Sequence, residues 1–267
     1  MSQARDENFP VASRLLARRA RGHLLAIYGF ARLVDDIGDE AEADRLALLD
    51  WAEEDLDRVY AGQDPEHPVM RALAPTVREC TLPAEPFQRL IEANRRDQAV
   101  SRYESFDELL DYCRLSAAPV GELVLHVFGA ATPGHLALSE RICAGLQVTE
   151  HLQDIAEDHA RGRVYLPAED LARFGCDDDD LSAATATPEL RGVIAFEADR
   201  ARALLAHGAP LARQLSPRPG LAVAAFVAGG RAALDALERS GYDVLAERPR
   251  PTRRGFMAAF ARGVAGR

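Results

Sequence analysis

An all-α protein is predicted from three observations. Apolar residues recur at three- and four-residue spacings along almost all of the 267 residues, with no strand-like alternation of any length. Hydrophobic residues make up 48% of the chain and aromatic ones only 6%, so the core must be mostly Ala, Leu and Val, and Ala and Leu lose little on entering a helix. Pro and Gly gather in short gaps: Gly62-Gln63-Asp64-Pro65, Thr132-Pro133-Gly134 and Ser216-Pro217-Arg218-Pro219-Gly220.

In chain order, the periodicity predicts helices over about Arg21–Glu42, Asp44–Ala61, Ala84–Gln98, Phe106–Gly129, Leu136–Ala160, Pro188–Arg213 and Gly220–Ser240. Gly229-Gly230, inside the last of these, reads as a place of close helix packing. The connections are short and no linker or fixed-period repeat divides the chain. A single domain over 1–267 is expected, with a core of about 8–245 and a basic tail over 246–267. From Arg248 to Arg267 the tail holds six Arg and no Asp or Glu, which suits either an anionic membrane surface or a solvated end. The acidic run Asp177–Asp180 follows Gly175. Its four carboxylates point in different directions on any regular element, so it reads as a solvated loop capping the next segment rather than as a metal cage.

Composition excludes several functions. The net charge is −10, and every basic residue is Arg; an acidic surface does not suit nucleic-acid phosphates, so no nucleic-acid partner is expected. Cys80, Cys113, Cys143 and Cys176 form no Cys-x-x-Cys pair, which argues against zinc and suits reduced thiols. Residues 1–10 are polar, without an apolar signal core, and the longest apolar stretch, Leu221–Ala228, is too short to span a bilayer. A cytoplasmic enzyme is expected, with a tail able to touch the inner face of the membrane. No Gly-x-Gly-x-x-Gly follows a strand, so no nicotinamide site is expected.

Two acidic segments carry the chemistry. In Asp35-Asp36-Ile37-Gly38-Asp39-Glu40, Asp35 and Asp39 are four apart and share a helical face. Tyr28, Phe30, Leu33 and Val34 mark the segment as partly buried, where unpartnered acids are costly. In Asp154-Ile155-Ala156-Glu157-Asp158, Asp154 and Asp158 share a face with Glu150 one turn earlier, near a helix C-terminus that disfavours acids unless a cation binds. Facing each other, the two Asp-x-x-x-Asp pairs would offer hard oxygen ligands to Mg²⁺ shared with substrate phosphates. Arg32, Arg161 and Arg163 are candidates to grip phosphate oxygens. Ionising a carbon–oxygen bond to diphosphate leaves a carbocation, which needs an apolar, aromatic pocket; Phe9, Tyr28, Tyr112 and Phe128 are candidates. Glu150, Gln147, Arg114 and Tyr165 are each able to orient a water, whereas His126 and His151 read as structural.

The segments Tyr28–Asp39, Tyr112-Cys113, Val120-Gly121-Glu122, and Gln147 through Asp158 to Arg163-Val164-Tyr165-Leu166-Pro167 resemble the squalene and phytoene synthases, over about Asn8 to Tyr242. That resemblance implies the helical isoprenoid synthase fold with a central apolar cavity. It implies two or three Mg²⁺ ions held with the diphosphate by Asp35, Asp39, Asp154 and Asp158, and diphosphate contacts from Arg32 and Arg163. It also implies pocket roles for Tyr28, Tyr112 and Tyr165, and polar roles for Gln147 and Glu150. Within the family, Asn8–Ser13 and Glu150-His151-Leu152-Gln153-Asp154 resemble the hydroxysqualene synthases of bacterial hopanoid pathways. The implied reaction is presqualene diphosphate plus water giving hydroxysqualene and diphosphate, without NAD(P)H and with handover to neighbouring pathway enzymes. Glu150 where relatives commonly have Asn, Gln153 where they often have Arg, and Ala118-Pro119 in place of Gly-Thr are the departures from the general pattern. The alternative is a synthase condensing two prenyl diphosphates to presqualene diphosphate, squalene or phytoene; a non-catalytic assembly factor fits the retained aspartates least.

Overall fold

The computed structural model describes residues 17–265, and among them every regular element is helical. The helices run α1 (Arg18–Glu40), α2 (Arg45–Tyr60), α3 (Pro68–Cys80), α4 (Glu85–Arg96), α5 (Phe106–Ser116), α6 (Ala118–Val127), α7 (Pro133–Gln153) and α8 (Ile155–Ala160). They continue as α9 (Ala168–Phe174), α10 (Asp178–Leu181), α11 (Pro188–Gly208), α12 (Leu211–Gln214), α13 (Pro217–Arg239) and α14 (Arg253–Ala265). The expected all-α class holds.

Several boundaries differ from expectation for physical reasons. The helix expected over Phe106–Gly129 is two, α5 ending at Ser116 and α6 beginning at Ala118, because Pro119 has no N–H to continue the ladder. The helix expected over Leu136–Ala160 stops at Gln153 and resumes at Ile155, with Asp154 at φ −108°, ψ 13°. Pro210 separates α11 from α12. The helix α3 escapes the periodicity reading, since Pro68 opens it and Pro75 lies inside it. Its N-terminus is pinned by Asp55, fully buried on α2, which accepts from the backbone N–H of Glu66 at 2.6 Å and of His67 at 2.9 Å. The run Asp177–Asp180 does cap the next segment: Asp177 and Asp180 form a reciprocal capping box on the one-turn helix α10, and Asp178 makes a bidentate pair with Arg102 at 2.7–2.8 Å.

The described residues form two compact units, one from 17–100 and 114–140, the other from 101–113 and 141–265. In the first, α1 packs on α2, α3, α4 and α6, with Phe30 edge-on to Phe87 at 4.9 Å and Leu49, Leu56, Met70 and Leu73 sealed from solvent. In the second, α13 is the core helix, touched by α11, α12 and α14. By length and hydropathy α13 resembles a membrane span, but 78% of its most apolar window is buried in the protein. Gly230 explains its close packing as expected: a Cβ there would lie 2.6 Å from Leu146 Cδ2 and 2.9 Å from Leu205 Cδ1. The tail is not a solvated end through 253–265, where α14 lies along α13 and Arg262 approaches Asp235 at 3.4 Å.

Candidate active site

The first acidic segment closes α1, and α1 has no basic residue in its last turn to offset those charges. Neighbouring side chains satisfy its terminal carbonyls instead. Arg45 donates Nε to Ala41 O at 3.0 Å and Nη2 to Asp39 O at 3.1 Å, and Gln98 Nε2 donates to Gly38 O at 3.1 Å. Asn94 of α4 donates Nδ2 to Asp35 Oδ1 at 3.2 Å. It reaches across because residue 38 is glycine: a Cβ there would lie 2.0 Å from Asn94 Oδ1. Gly38→Ala should therefore push Asn94 off Asp35. Overpacking of about 1–3 kcal/mol would more than offset the roughly 1 kcal/mol gain in helix propensity, so a lower thermal midpoint and weaker activity are expected; differential scanning fluorimetry and an assay check it.

Asp35 is exposed by surface area, yet the protein around it removes enough hydration to push its pKa up to about 6. The Asn94 hydrogen bond opposes that rise, and the charge of Asp39 adds to it. Arg32 points along the same helix, with Nε 2.8 Å from Asp36 Oδ1 and Nη2 3.5 Å from Glu40 Oε1. Asp36 Oδ1 nevertheless receives no well-aligned hydrogen bond. Tyr28 is half-buried two turns before Asp35.

The second acidic segment straddles the break between α7 and α8. Asp154 N–H still donates to Glu150 O at 3.0 Å, and Asp158 N–H donates to Asp154 O at 2.8 Å. The Asp154 carboxylate is clasped by Arg248, with Nε 2.8 Å from Oδ1 and Nη2 donating to Oδ2 at 2.9 Å. Adjacent Gln153 donates Nε2 to Pro249 O at 2.5 Å, fixing the same stretch of chain. Burial pushes the Asp154 pKa up to about 6, opposed by Arg248 and reinforced by Asp158 and Glu157.

Beside this segment stands a stack of rings. Val164 N–H donates to Ser101 O at 2.8 Å and Ala168 N–H to Tyr103 O at 2.9 Å, tying the 101–103 stretch to the 164–168 stretch. Tyr165 stacks on Tyr103 and Tyr112 with centroids 5.9 and 5.6 Å away, Tyr103 and Tyr112 meet at a 42° tilt, and His151 lies on Tyr165 at 3.7 Å with an interplanar angle of 15°. His151 Nε2 meets Gln147 Nε2 at 3.2 Å, and its Nδ1 lies 3.7 Å from Asp158 Oδ2. A small cleft opens here, its wall including His151, Asp158, His159, Arg163 and Tyr165. Arg163 N–H donates to Asp158 O at 2.9 Å.

Of the expected residues, α1 groups Tyr28, Arg32, Asp35 and Asp39, and the second unit groups Tyr112, Gln147, Asp158, Arg163 and Tyr165 around His151. Glu150 is half-buried on α7. Arg114 is instead exposed, its Nε 2.9 Å from Glu140 Oε1, and Arg161 pairs with Glu157 at 3.0 Å on the surface. Phe128 is half-buried at the end of α6, and Phe9 lies outside the described residues. Asn94, Tyr103 and Arg248 were not expected at the site, and His151 was read as merely structural. The spacing of Gln147 and His151, one helical turn apart, was the legible signal for the last of these.

Among the described residues no three His, Cys, Asp or Glu side chains form a ready-made metal cage. Magnesium does not need one, because it is commonly held by one or two carboxylates together with substrate phosphates and water. Each acidic segment, taken by itself, offers such oxygens: Asp35 in the first and Asp154 in the second are carboxylates whose charged form lost hydration disfavours, which a bound cation would offset.

Among the described residues the helical architecture is that of the isoprenoid synthase fold, as the likeness to solved structures shows. The structure of squalene synthase HpnC from Alicyclobacillus acidocaldarius matches with a TM-score of 0.82 and 46% identity, covering 87% of this chain and 88% of that one. The squalene/phytoene synthase family model matches residues 2–255, and the chain belongs to that family. A hydroxysqualene synthase from Rhodopseudomonas palustris is 38% identical over 84% of this chain and 77% of its own length. A 15-cis-phytoene synthase from Synechococcus elongatus is 32% identical over 91% of this chain and 83% of its own length.

Proposed function

We propose that this chain is a magnesium-dependent hydroxysqualene synthase, working as a single catalytic domain that converts presqualene diphosphate and water to hydroxysqualene and diphosphate. The observation that carries the reading is the pocket in which Asp158 and Arg163 share a wall with the stacked rings of His151 and Tyr165. Anion-handling groups thus stand beside a ring wall suited to a carbocation. The 38% identity to a hydroxysqualene synthase supports the choice of substrate.

In this reading Asp35, Asp39, Asp154 and Asp158 hold the metal with the diphosphate. Bound Mg²⁺ would supply positive charge against the departing diphosphate. Arg32 and Arg163 contact phosphate oxygens. Tyr28, Tyr112 and Tyr165 line the cation and keep stray water away. Glu150 and Gln147, one turn apart on α7, present polar groups on the approach to Asp154. The exposed Arg253, Arg254 and Met257 of α14 support a peripheral contact with an anionic membrane, where an apolar product would be handed on.

The test is incubation with presqualene diphosphate, with and without Mg²⁺ and with and without reduced nicotinamide, followed by product mass. Hydroxysqualene formed only with Mg²⁺, and unaffected by the nicotinamide, is expected. The phytoene and squalene synthase relatives favour a second reading, condensation of two prenyl diphosphates. Efficient turnover of farnesyl diphosphate alone would establish that reading instead.

A further inference from the structure

We propose that α14 is an interfacial docking helix: its outward face seats on an anionic lipid bilayer and brings the second acidic segment close to that surface. The inference rests on the peripheral contact in the functional reading. It deepens that contact by naming the lipid charge, the residues that meet it and the part of the protein held there.

The charge distribution comes first. The chain carries a net charge of −10, yet from Arg248 to Arg267 it holds six Arg and no Asp or Glu. No acid occurs anywhere in α14. Its Ala259 is buried at 1% exposure, while Arg253, Arg254, Met257, Ala258, Ala261 and Arg262 are exposed. Met257, at 59%, is the most exposed large hydrophobic side chain among the described residues, and it stands one turn from Arg253 and Arg254. Phe256 and Phe260, half-buried and stacked at 6.1 Å, form one edge of the helix. Cations and apolar side chains on one short helix, without acids, match a negatively charged headgroup layer over hydrocarbon.

A second observation comes from α13, on which α14 lies. Half-buried Arg231 makes no hydrogen bond or ion pair among the described residues. Lost hydration and then the charge of Arg262 lower its pKa, with Asp235 opposing. Asp235 is already shared by Arg202 at 2.9 Å and Arg262 at 3.4 Å, and Glu238 is taken by Arg202 at 2.8 Å. Positive charge along α13 and α14 is thus under-compensated, and an anion from outside would balance it. A second copy of the chain is a poor occupant, because a self-complementary contact sets Arg against Arg. A nucleic acid answers the Arg side chains but not Met257. The docking face is also tied to the site. Gln153 Nε2 donates to Pro249 O at 2.5 Å, and α14 starts at Arg253, four residues further on. Such a length of chain reaches at most about 14 Å. An apolar product formed beside the second acidic segment therefore has a bilayer close by to enter.

The experiment is flotation of the full chain with vesicles of phosphatidylcholine alone and of phosphatidylcholine mixed equally with phosphatidylglycerol. Binding to the mixed vesicles that weakens as salt rises is expected, with little binding to the neutral ones. Arg253→Gln together with Arg254→Gln should weaken it about thirtyfold, roughly fivefold for each charge lost. Met257→Asp should weaken it as well, and Met257→Leu should not. Arg141→Gln, which removes an exposed charge on α7, should leave it unchanged. Thermal midpoints confirm that each variant is folded. Equal binding to both kinds of vesicle, no binding to either, or unchanged binding in the folded double variant overturns the proposal. So does a dimer that depends on Arg253 and Arg254 in place of vesicle binding. Turnover of presqualene diphosphate by wild type in detergent tests the enzymatic reading separately: its absence sinks that reading and leaves the vesicle result to judge α14.

Discussion

Asp35→Asn should lower turnover of presqualene diphosphate at saturating Mg²⁺ by about a thousandfold while leaving the protein folded and no less stable. A metal-held oxygen contributes several kcal/mol to stabilising a departing anion, and about 4 kcal/mol corresponds to a thousandfold. Asn keeps an oxygen that can accept from Asn94 Nδ2 but removes the under-hydrated charge. The pH dependence checks the assignment. The folded pKa of Asp35 is raised from 3.8 to about 6, so its protonated form is favoured in the folded state, and that contribution to stability is lost as pH rises through about 6. In metal-free protein, Asp35→Asn should therefore match wild type near pH 4 and exceed it near pH 8 in thermal midpoint. A large fall in midpoint at both pH values would make Asp35 a structural residue and remove it from the metal site.

Arg200→Leu is expected to cost the most stability. Two carboxyls, Asp170 at 2% and Glu197 at 1% exposure, both meet Arg200 Nη1, at 2.6 Å and 2.7 Å. The guanidinium also lies 4.4 Å from the ring centres of Phe106 and Phe196. Removing one partner from a buried ionic group typically costs about 3–5 kcal/mol. For a chain of this size that lowers the thermal midpoint by roughly 10 °C. Burial pushes the Glu197 pKa up to about 8, with Arg200 opposing and Asp170 adding. A folded carboxyl that holds its proton more tightly than the unfolded chain stabilises most at low pH. Stability should thus decline from about pH 4.5 to about pH 8 and then level off, and Glu197→Gln should flatten that slope in denaturant titrations at several pH values.

The helical class and the two acidic segments were legible because both are local patterns: apolar residues at helical spacing, and carboxylates four apart. What was illegible depends on partners distant in sequence. Asp154 interrupts α7 without Pro or Gly, where the chain also meets Arg248 and Pro249, and nothing nearby announces that break. Gly38 reads as an oddity inside a helix until Asn94 is seen lying over it. The Arg-rich tail looks like a solvated end because its composition is basic, yet Arg248 and Arg262 are occupied by Asp154 and Asp235. The partner of Arg114 was equally illegible: its side chain turns to Glu140, 26 residues on.

The clasp of Arg248 on Asp154 joins residues 94 positions apart. During synthesis the aspartate is made long before its counter-charge, so the nascent chain carries that carboxylate without Arg248 through the whole production of α9 to α13. Electrical completion of the second motif thus waits on chain made after α13, and earlier compactness around Asp154 has to come from other contacts.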